Sequence, residues 1–186
     1  MPRFLAIDFE TNGLVGDDVL PHGAFPTAVS VTAYDPGIDR VQHLFTSYIH
    51  GAETFSEWVQ EKGTFTLEVL YDSPPLPVVL QKLADLWREG DVLATHNAKF
   101  DLETVLRKVA PEDHPFLTAP RLCTMSQGWC PGYNKPWLAH LCQELDVPYI
   151  FRLAHNSRYD SEAVAKCVQV AHTRGLRIKT MRVSRC

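Results

Sequence analysis

The hydrophobic pattern of the first fifty residues predicts three β-strands in succession. An apolar run from Phe4 to Ile7, followed by alternating residues up to Thr11, is typical of a buried central strand. Two further apolar stretches, at 28–34 and 40–49, are separated by the turn signal Asp35-Pro36-Gly37. Because short connections join strands in antiparallel pairs, we expect these three strands to form an antiparallel meander.

The rest of the chain alternates between helical and strand patterns. Apolar residues at helical spacing predict four helices, and short apolar runs predict two more strands between them: helices from Pro77, Phe100, Pro136 and Asp160, strands at 91–97 and 120–125. The pattern over 50–72 is weaker and indicates a connection of moderate helix content. The order β-β-β-α-β-α-β-α-α predicts an α/β fold, a mixed five-stranded sheet with helices on both faces. Strands one and four should then be adjacent and parallel.

Composition indicates a single domain. At 186 residues and 45% hydrophobic content, without repeats or low-complexity blocks, the chain has the size of one α/β domain. We assign residues 1–175 to that domain and 176–186 to a basic C-terminal tail or short extra strand. No acidic residue follows Glu162, whereas several basic residues do: Lys166, Arg174, Arg177, Lys179, Arg182 and Arg185. A basic end is usually a solvated surface, but it also suits a phosphate backbone.

Cysteine usage and hydropathy predict where the protein resides. The chain has five cysteines, an odd set without a C-x-x-C pair, which favours reduced thiols and argues against a zinc site. The N-terminal residues do not resemble a secretory signal. No apolar stretch approaches the roughly 18 residues that span a bilayer. We therefore expect a cytoplasmic (intracellular) protein without a membrane partner.

Carboxylates occur at three separated places that the predicted fold would bring together. Asp8 and Glu10 are two positions apart on the first strand, so their side chains project from the same face. A lone pair of this kind is more often the wet face of an edge strand. Asp101 and Asp160 each fall in the first turn of a predicted helix, where a carboxylate ordinarily serves as a cap. Because strand four should lie beside strand one, Asp101 can reach the strand pair, and Asp160 completes a ring if the last helix packs on the same edge.

A ring of four carboxylates suits hard divalent cations, above all Mg²⁺, with Mn²⁺ as a substitute. Two such ions can clamp an in-line displacement at phosphorus. The formal net charge of −4 disfavours binding to a polyanion, but neutralising four carboxylates with metal leaves the remaining charges balanced. His155, five residues before Asp160, is the candidate general base. An isolated histidine in a loop is, however, more often simply exposed.

Three short motifs occur in a fixed order: D-F-E-T at 8–11, H-N-A-K-F-D at 96–101 and H-x-x-x-x-D at 155–160. This ordered triplet resembles the exonuclease motifs of the DEDDh 3′–5′ exonucleases, a subclass of the ribonuclease H-like superfamily that includes the proofreading subunit of bacterial DNA polymerase III. The resemblance covers residues 4–174. It implies a two-metal site and a histidine general base on five residues: Asp8, Glu10, Asp101, Asp160 and His155. The sister subclass with a tyrosine base would need tyrosine at position 156, which is Asn156.

The resemblance also implies which residues contact the substrate. Thr11 and Leu14, just after the first motif, would hold the terminal nucleotide, and Asn97 and Phe100 would line the same cleft. Core packing explains Leu14 and Phe100 equally well. Stacking on an apolar side chain tolerates any base, so we expect little sequence specificity.

Together these observations predict a metal-dependent exonuclease that releases 5′-mononucleotides from the 3′ ends of single-stranded DNA or RNA. A polymerase or a replication or repair protein would be a fitting partner. The choice between DNA and RNA is left open, because no motif here corresponds to the contact with the 2′-hydroxyl that distinguishes them.

Three alternatives remain: an RNase H-type endonuclease, a non-catalytic nucleic-acid- or polymerase-binding module, and an oligoribonuclease acting on very short RNA. The 14–27 loop and the 50–72 connection have no counterpart that aligns, and we expect them to shape substrate choice.

Overall fold

A mixed five-stranded β-sheet forms the centre of the structure. The computed structural model describes residues 1–13, 25–62 and 66–182. The strands lie in the order β3-β2-β1-β4-β5 and have the following bounds: β1 (Phe4–Thr11), β2 (Pro26–Asp35), β3 (Arg40–Tyr48), β4 (Val92–Thr95) and β5 (Arg121–Cys123). The first three strands pair antiparallel, and β4 pairs in parallel with both β1 and β5. The predicted meander and the predicted parallel pairing of strands one and four are both confirmed.

Helices cover both faces of the sheet, as the pattern predicted. They have these bounds: α1 (Glu57–Lys62), α2 (Leu67–Tyr71), α3 (Leu76–Leu86), α4 (Arg107–Val109), α5 (Leu138–Glu144) and α6 (Ser157–Thr173). Single 3₁₀ turns lie at Pro115–Leu117, Thr124–Ser126 and Phe151–Leu153. Two short helices, α1 and α2, supply the helix content expected between residues 50 and 72. No helix in the described ranges combines the length and the apolar character needed to cross a bilayer.

The helix predicted from Phe100 to Val109 differs from the regular α-helix we expected. Its first part, Lys99–Leu106, is π-helical, and only the last turn is α4. The Arg107 N–H donates to the Leu102 carbonyl five residues earlier, which is the π-helical bond. The apolar spacing was still informative, since Leu102 and Leu106 are fully buried. Apolar positions three and four residues apart can face a core in either kind of helix.

The alternation along β1 divides the hydrophobic core into two layers. Leu5, Ile7 and Phe9 point towards α3 and the π-helical segment, where they pack with other buried side chains, including Leu83, Leu102 and Leu106. Phe4 and Ala6 point to the opposite face, where α5 and α6 supply the packing partners, including Leu141, Val164 and Val168. Because strand residues alternate, Asp8 and Glu10 continue the face of Phe4 and Ala6. Both carboxylates therefore face α6.

A buried ion pair connects the beginnings of β1 and β4. Arg3 donates to the two carboxylate oxygens of Asp91 at 3.1 and 2.6 Å and to the Leu86 carbonyl at 2.8 Å. Asp91 is only 3% exposed and also accepts a hydrogen bond from the Arg88 N–H at 2.9 Å. In addition, the Val92 N–H donates to the Arg3 carbonyl at 2.9 Å. These contacts fix the register between β1, which carries Asp8 and Glu10, and β4, which directly precedes the second motif.

Replacing Arg3 should show how much this pair contributes. Arg3→Ala leaves a buried carboxylate without its cation, so we expect a loss of about 3 kcal/mol in the free energy of unfolding. The matched control is Arg174→Ala, because Arg174 pairs with Asp146 at 2.7 Å on the surface. That exposed pair should contribute less than about 1 kcal/mol. Urea unfolding measures both variants, and equal losses would contradict the interpretation.

Candidate active site

The strand β1 extends beyond its parallel partner, which leaves part of its edge open. The ladder between β1 and β4 ends where Ala6 pairs with Ala94. Beyond that point, the Phe9 N–H donates to Oδ1 of Asp101 at 3.1 Å. Asp101 lies in the first turn of the π-helical segment that follows β4. This hydrogen bond places Asp101 at the level of the carboxylates on β1, as the predicted topology required.

Three carboxylates converge on the face of the sheet that α6 covers. One oxygen atom from each of Asp8, Glu10 and Asp160 lies within 4.8 Å of the others. Asp8 and Glu10 are partly buried, and Asp160 is 7% exposed. Asp101, which is 3% exposed, lies beside this group and is close enough to raise the pKa of both Asp8 and Glu10. The structure therefore brings together the four carboxylates that the sequence indicated.

Burial and mutual repulsion raise the pKa values of these carboxyl groups. For Glu10, burial followed by the charges of Asp160 and Asp101 raises the pKa to about 8. Burial raises the pKa of Asp101 to about 7, although the Phe9 N–H opposes the shift. The pKa of Asp8 is raised well above its ordinary value, first by burial and then by its three acidic neighbours. In the absence of a cation, the cluster therefore retains protons at pH values where isolated carboxyls have lost them.

Two hydrogen bonds orient the carboxylate of Asp160. The Tyr149 hydroxyl donates to Oδ1 at 2.7 Å, and the His155 backbone N–H donates to Oδ2 at 2.9 Å. Burial raises the pKa of Asp160, while these two hydrogen bonds lower it. Burial and the charge of Asp160 raise the pKa of Tyr149 far above its ordinary value, so its hydroxyl remains a donor. Tyr149 could not be identified from the sequence, because the irregular segment before α6 has no periodic pattern that places it.

His155 lies at the entrance to α6 in a left-handed backbone conformation, with φ of +62°. The Asn156 side chain caps the helix by accepting a hydrogen bond from the Tyr159 N–H at 3.1 Å. Histidine tolerates this backbone region better than most residues. The conformation directs the His155 N–H at Asp160 while the residue itself is exposed. His155 is therefore beside the carboxylate cluster and accessible from outside.

Buried hydroxyl groups hold the first turns of α6 against the sheet. The Ser161 hydroxyl lies 3.1 Å from Thr32 Oγ1 and 3.2 Å from Ser30 Oγ, and all three residues are fully buried. Ser30 is also paired with Asp8 across the antiparallel ladder. Because Ser161 directly follows Asp160, this network fixes the position of the Asp160 carboxylate above β1.

The four residues predicted to contact substrate have different environments. Leu14 lies outside the described residues. Thr11 is buried, and its hydroxyl donates to the Gly13 carbonyl at 2.7 Å. Asn97 is exposed, and its side-chain oxygen accepts a hydrogen bond from the Phe100 N–H at 3.4 Å. The Phe100 ring packs partly against the core layer that contains the π-helical segment. Contacts of these residues with a nucleotide stay predictions.

His96, the first residue of the second motif, supports the loop that follows β5. Its Nε2 lies 2.9 Å from the Pro136 carbonyl, which can only accept, so this nitrogen donates. Its Nδ1 lies 3.0 Å from Thr124 Oγ1. Burial lowers the pKa of His96 to about 4, and the imidazole is therefore neutral near pH 7. The sequence gives His96 a place in the second motif but indicates no role for it.

The carboxylate cluster fits a divalent cation by its chemistry. Within the described ranges it is the group of three or more potential ligands whose donor atoms are near enough to share one ion. All its donors are carboxylate oxygens, which Mg²⁺ and Mn²⁺ prefer. The repulsion that raises the pKa values would be relieved by a doubly charged cation.

Comparisons with known proteins give a consistent result. A family model described as exonuclease, RNase T, matches residues 5–168. The PolC-type DNA polymerase III of Streptococcus pyogenes serotype M2 is 24% identical over 167 residues, and that of Oceanobacillus iheyensis is 24% identical over 162 residues. These alignments cover 88% and 86% of this chain but 11% of each polymerase. The chain thus spans about a tenth of the length of the curated relatives it matches.

Solved structures share the fold at low sequence identity. Cell-death related nuclease 4 gives a TM-score of 0.77 at 15% identity, with 97% of this chain and 67% of that chain covered. The nuclease domain of 3′hExo, described as a DEDDh family member bound to rAMP, gives 0.75 at 18% identity, with 97% of each chain covered. E. coli exonuclease I in complex with a dT13 oligonucleotide gives 0.67 at 16% identity, with 94% and 42% covered. These likenesses confirm the ribonuclease H-like fold.

Without metal, raising the pH should destabilise the protein. Carboxyls with raised pKa values bind protons more tightly in the folded chain than in the unfolded chain, where their pKa is about 4. Their contribution to stability is complete below that value and is lost as the pH rises through the folded pKa, which is about 7 for Asp101 and about 8 for Glu10. We therefore expect the melting temperature in chelator to fall between about pH 5 and about pH 8.

A variant and added metal provide the controls for this titration. Glu10→Gln should reduce the fall of the melting temperature with pH, because the amide does not ionise. Mg²⁺ or Mn²⁺ should raise the melting temperature, and more at the upper than at the lower end of the range, because binding to the folded chain stabilises it. A melting temperature in chelator that is independent of pH would contradict the assignment.

Proposed function

This chain belongs to the RNase T exonuclease family, and from that premise we propose that it removes 5′-mononucleotides one at a time from the 3′ ends of single-stranded nucleic acid. Family membership makes it a nuclease, a hydrolase that acts on phosphodiester bonds; the polarity, the strand preference and the product belong to the proposal. The observation that carries it is the convergence of Asp8, Glu10 and Asp160 within 4.8 Å. The hydrogen bond that the Phe9 N–H donates to Asp101 holds the fourth carboxylate beside these three.

The four carboxylates would hold the cofactor, which we propose to be two Mg²⁺ ions, with Mn²⁺ as a substitute. Bound cations would activate the attacking water and stabilise the charge that develops on the leaving 3′-oxygen. Asp8 and Glu10 are fixed by the β1–β2 ladder, and Asp160 by its hydrogen bonds to Tyr149 and the His155 N–H. The carboxylates are therefore positioned before any ligand binds, which reduces the cost of assembling the site.

His155 is proposed to accept the proton of the attacking water. Its backbone N–H binds Asp160, which places the residue at the edge of the cluster, and its exposure lets it pass the proton to solvent. Imidazole exchanges protons near neutral pH. Tyr149 is unsuited to this role, because its hydroxyl donates to Asp160 and its pKa is raised far above the ordinary value.

The proposed substrate includes both DNA and RNA single strands. Among proteins of this fold, one was solved with rAMP and another with a dT13 oligonucleotide, so we retain both RNA and DNA as substrates. The similarity to PolC-type polymerases supports a polymerase or a replication or repair protein as partner. The presence of all four carboxylates favours catalysis over the alternative of a binding module that only holds nucleic acid.

Removing one carboxylate should reduce turnover by orders of magnitude without unfolding the protein. Asp101→Asn keeps the side-chain shape but removes a negative charge from the proposed metal site, so we expect kcat to fall by about 10³-fold or more. The substrates are 5′-labelled single-stranded DNA and RNA, on which the wild type should produce a ladder shortened from the 3′ end. The matched control is Asp85→Asn on the exposed side of α3, which should retain full activity. Cleavage of a circular strand would instead identify an endonuclease.

Substituting His155 should separate proton transfer from metal binding. Asn also tolerates the left-handed backbone at this position, so His155→Asn should keep the N–H bond to Asp160. We expect kcat to fall by about 10²- to 10⁴-fold, as for the loss of a general base. The rise in melting temperature on adding Mg²⁺ should be preserved. A variant with unchanged kcat would show that another group accepts the proton.

A further inference from the structure

Two segments of the chain carry no acidic residue although the protein as a whole is acidic. Residues 114–143 and 163–186 contain neither Asp nor Glu, while the net charge of the chain is −4. Both segments supply exposed cations, namely Lys135 from the first and Arg177 and Lys179 from the second. None of these three forms an ion pair with another described residue. Their charges are therefore not neutralised within the described part of the fold.

The structure joins these two segments along the outer edge of β5. The Gln127 side chain donates to the Lys179 carbonyl at 3.0 Å and accepts from the Lys179 N–H at 2.8 Å. The Trp129 indole donates to the Arg177 carbonyl at 3.0 Å. Met181 forms an antiparallel bridge with Arg121, the first residue of β5. The backbone of the basic segment is thus anchored, while its lysine and arginine side chains remain exposed.

Aromatic rings stack on the surface of the first segment. The His140 ring stacks with Tyr133 at a centroid distance of 4.5 Å and with Trp137 at 5.5 Å, the latter with an interplanar angle of 10°. Tyr133 is 52% exposed and Trp137 is 67% exposed. Large aromatic residues this exposed offer a flat apolar surface on which further rings can stack. We call the surface formed by residues 126–140 and 176–182 the basic–aromatic face.

The basic–aromatic face adjoins the candidate active site. Trp137 follows Pro136, whose carbonyl accepts the hydrogen bond from His96, and His96 directly precedes the Asn97-to-Asp101 stretch. The first segment of this face begins just after β5, and β5 lies two strands from β1 in the sheet. The axes of β1 and β5 are therefore about 10 Å apart. The loop that carries the exposed rings is therefore linked directly to the stretch that carries Asp101.

We propose that the basic–aromatic face binds single-stranded nucleic acid on the 5′ side of the terminal nucleotide. Bases would stack on the exposed rings, and phosphates would contact the exposed side chains of Lys135, Arg177 and Lys179. Exposed aromatic rings interleaved with cations are the combination that binds single strands without sequence preference. Because both segments lack acidic residues, no carboxylate within them would repel the phosphates of a polyanion. This inference rests on the function proposed above and extends it from the cleaved bond to the rest of the substrate.

Binding can be measured apart from hydrolysis in the full chain carrying Asp101→Asn. Fluorescence anisotropy with Mg²⁺ and 5′-labelled oligonucleotides of two and about twelve nucleotides, in DNA and RNA form, gives the affinities. Adding Trp137→Ala should weaken binding of the longer strand about tenfold, which corresponds to the loss of one stacked base, and should affect the dinucleotide less. Lys179→Ala should lower the slope of log affinity against log salt by about 0.7, as expected for one lost phosphate contact.

Matched controls use exposed residues of the same type on other parts of the surface. Tyr71 is 68% exposed, and Lys82 is exposed on α3. Tyr71→Ala and Lys82→Ala should leave both the affinity and the salt slope unchanged, and melting temperatures should show that every variant is folded. Tyr133→Ala provides a second ring variant. An unchanged affinity of the longer strand in the Trp137 and Lys179 variants overturns this inference, even where the wild type shortens strands from the 3′ end. A wild type that degrades no strand counts against the proposed function instead.

Discussion

The carboxylates of Asp8, Glu10 and Asp160 repel one another within 4.8 Å, and the rest of the structure must hold them there. Repulsion and burial together raise the pKa values, so part of the cluster carries protons near pH 7 when no cation neutralises it. The fold maintains this arrangement because the carboxylates belong to two separately packed elements, β1 for Asp8 and Glu10 and α6 for Asp160. The two core layers on either side of β1 fix those elements independently of the charges they carry.

Much of this arrangement could be predicted because it follows from local rules of strand geometry. Alternation along β1 places Asp8 beside Glu10 on the face of Phe4 and Ala6. The packing of α6 on that face, which adds Asp160, was only a condition in the prediction and is supplied by the structure. The parallel pairing of β1 with β4 follows from the order of the elements, and it brings Asp101 to the open edge of β1. These inferences needed only the period of the hydrophobic pattern and the topology of the sheet.

The features that the sequence did not reveal depend on tertiary contacts of irregular segments. The π-helical segment has the apolar spacing of an α-helix, and its widened turn occurs where Asp101 accepts the Phe9 N–H from a distant strand. Tyr149 reaches Asp160 only because the segment between α5 and α6 folds back, with Asp146 and His155 both in the left-handed backbone region. Neither a spacing rule nor a propensity describes such a path.

Two tyrosines near the cluster bear on which group can act as the base. The Tyr149 hydroxyl donates to the Asp160 carboxylate, and the Tyr159 hydroxyl accepts a hydrogen bond from the Ile150 N–H. Their rings pack at a centroid distance of 5.2 Å, so each restrains the other in this structural role. A phenol that donates to a carboxylate is a poor proton acceptor, since ionising it would place two negative charges side by side. The same hydrogen bond that makes Tyr149 useful for orienting Asp160 therefore makes it a poor base, which agrees with the proposal that the exposed His155 accepts the proton.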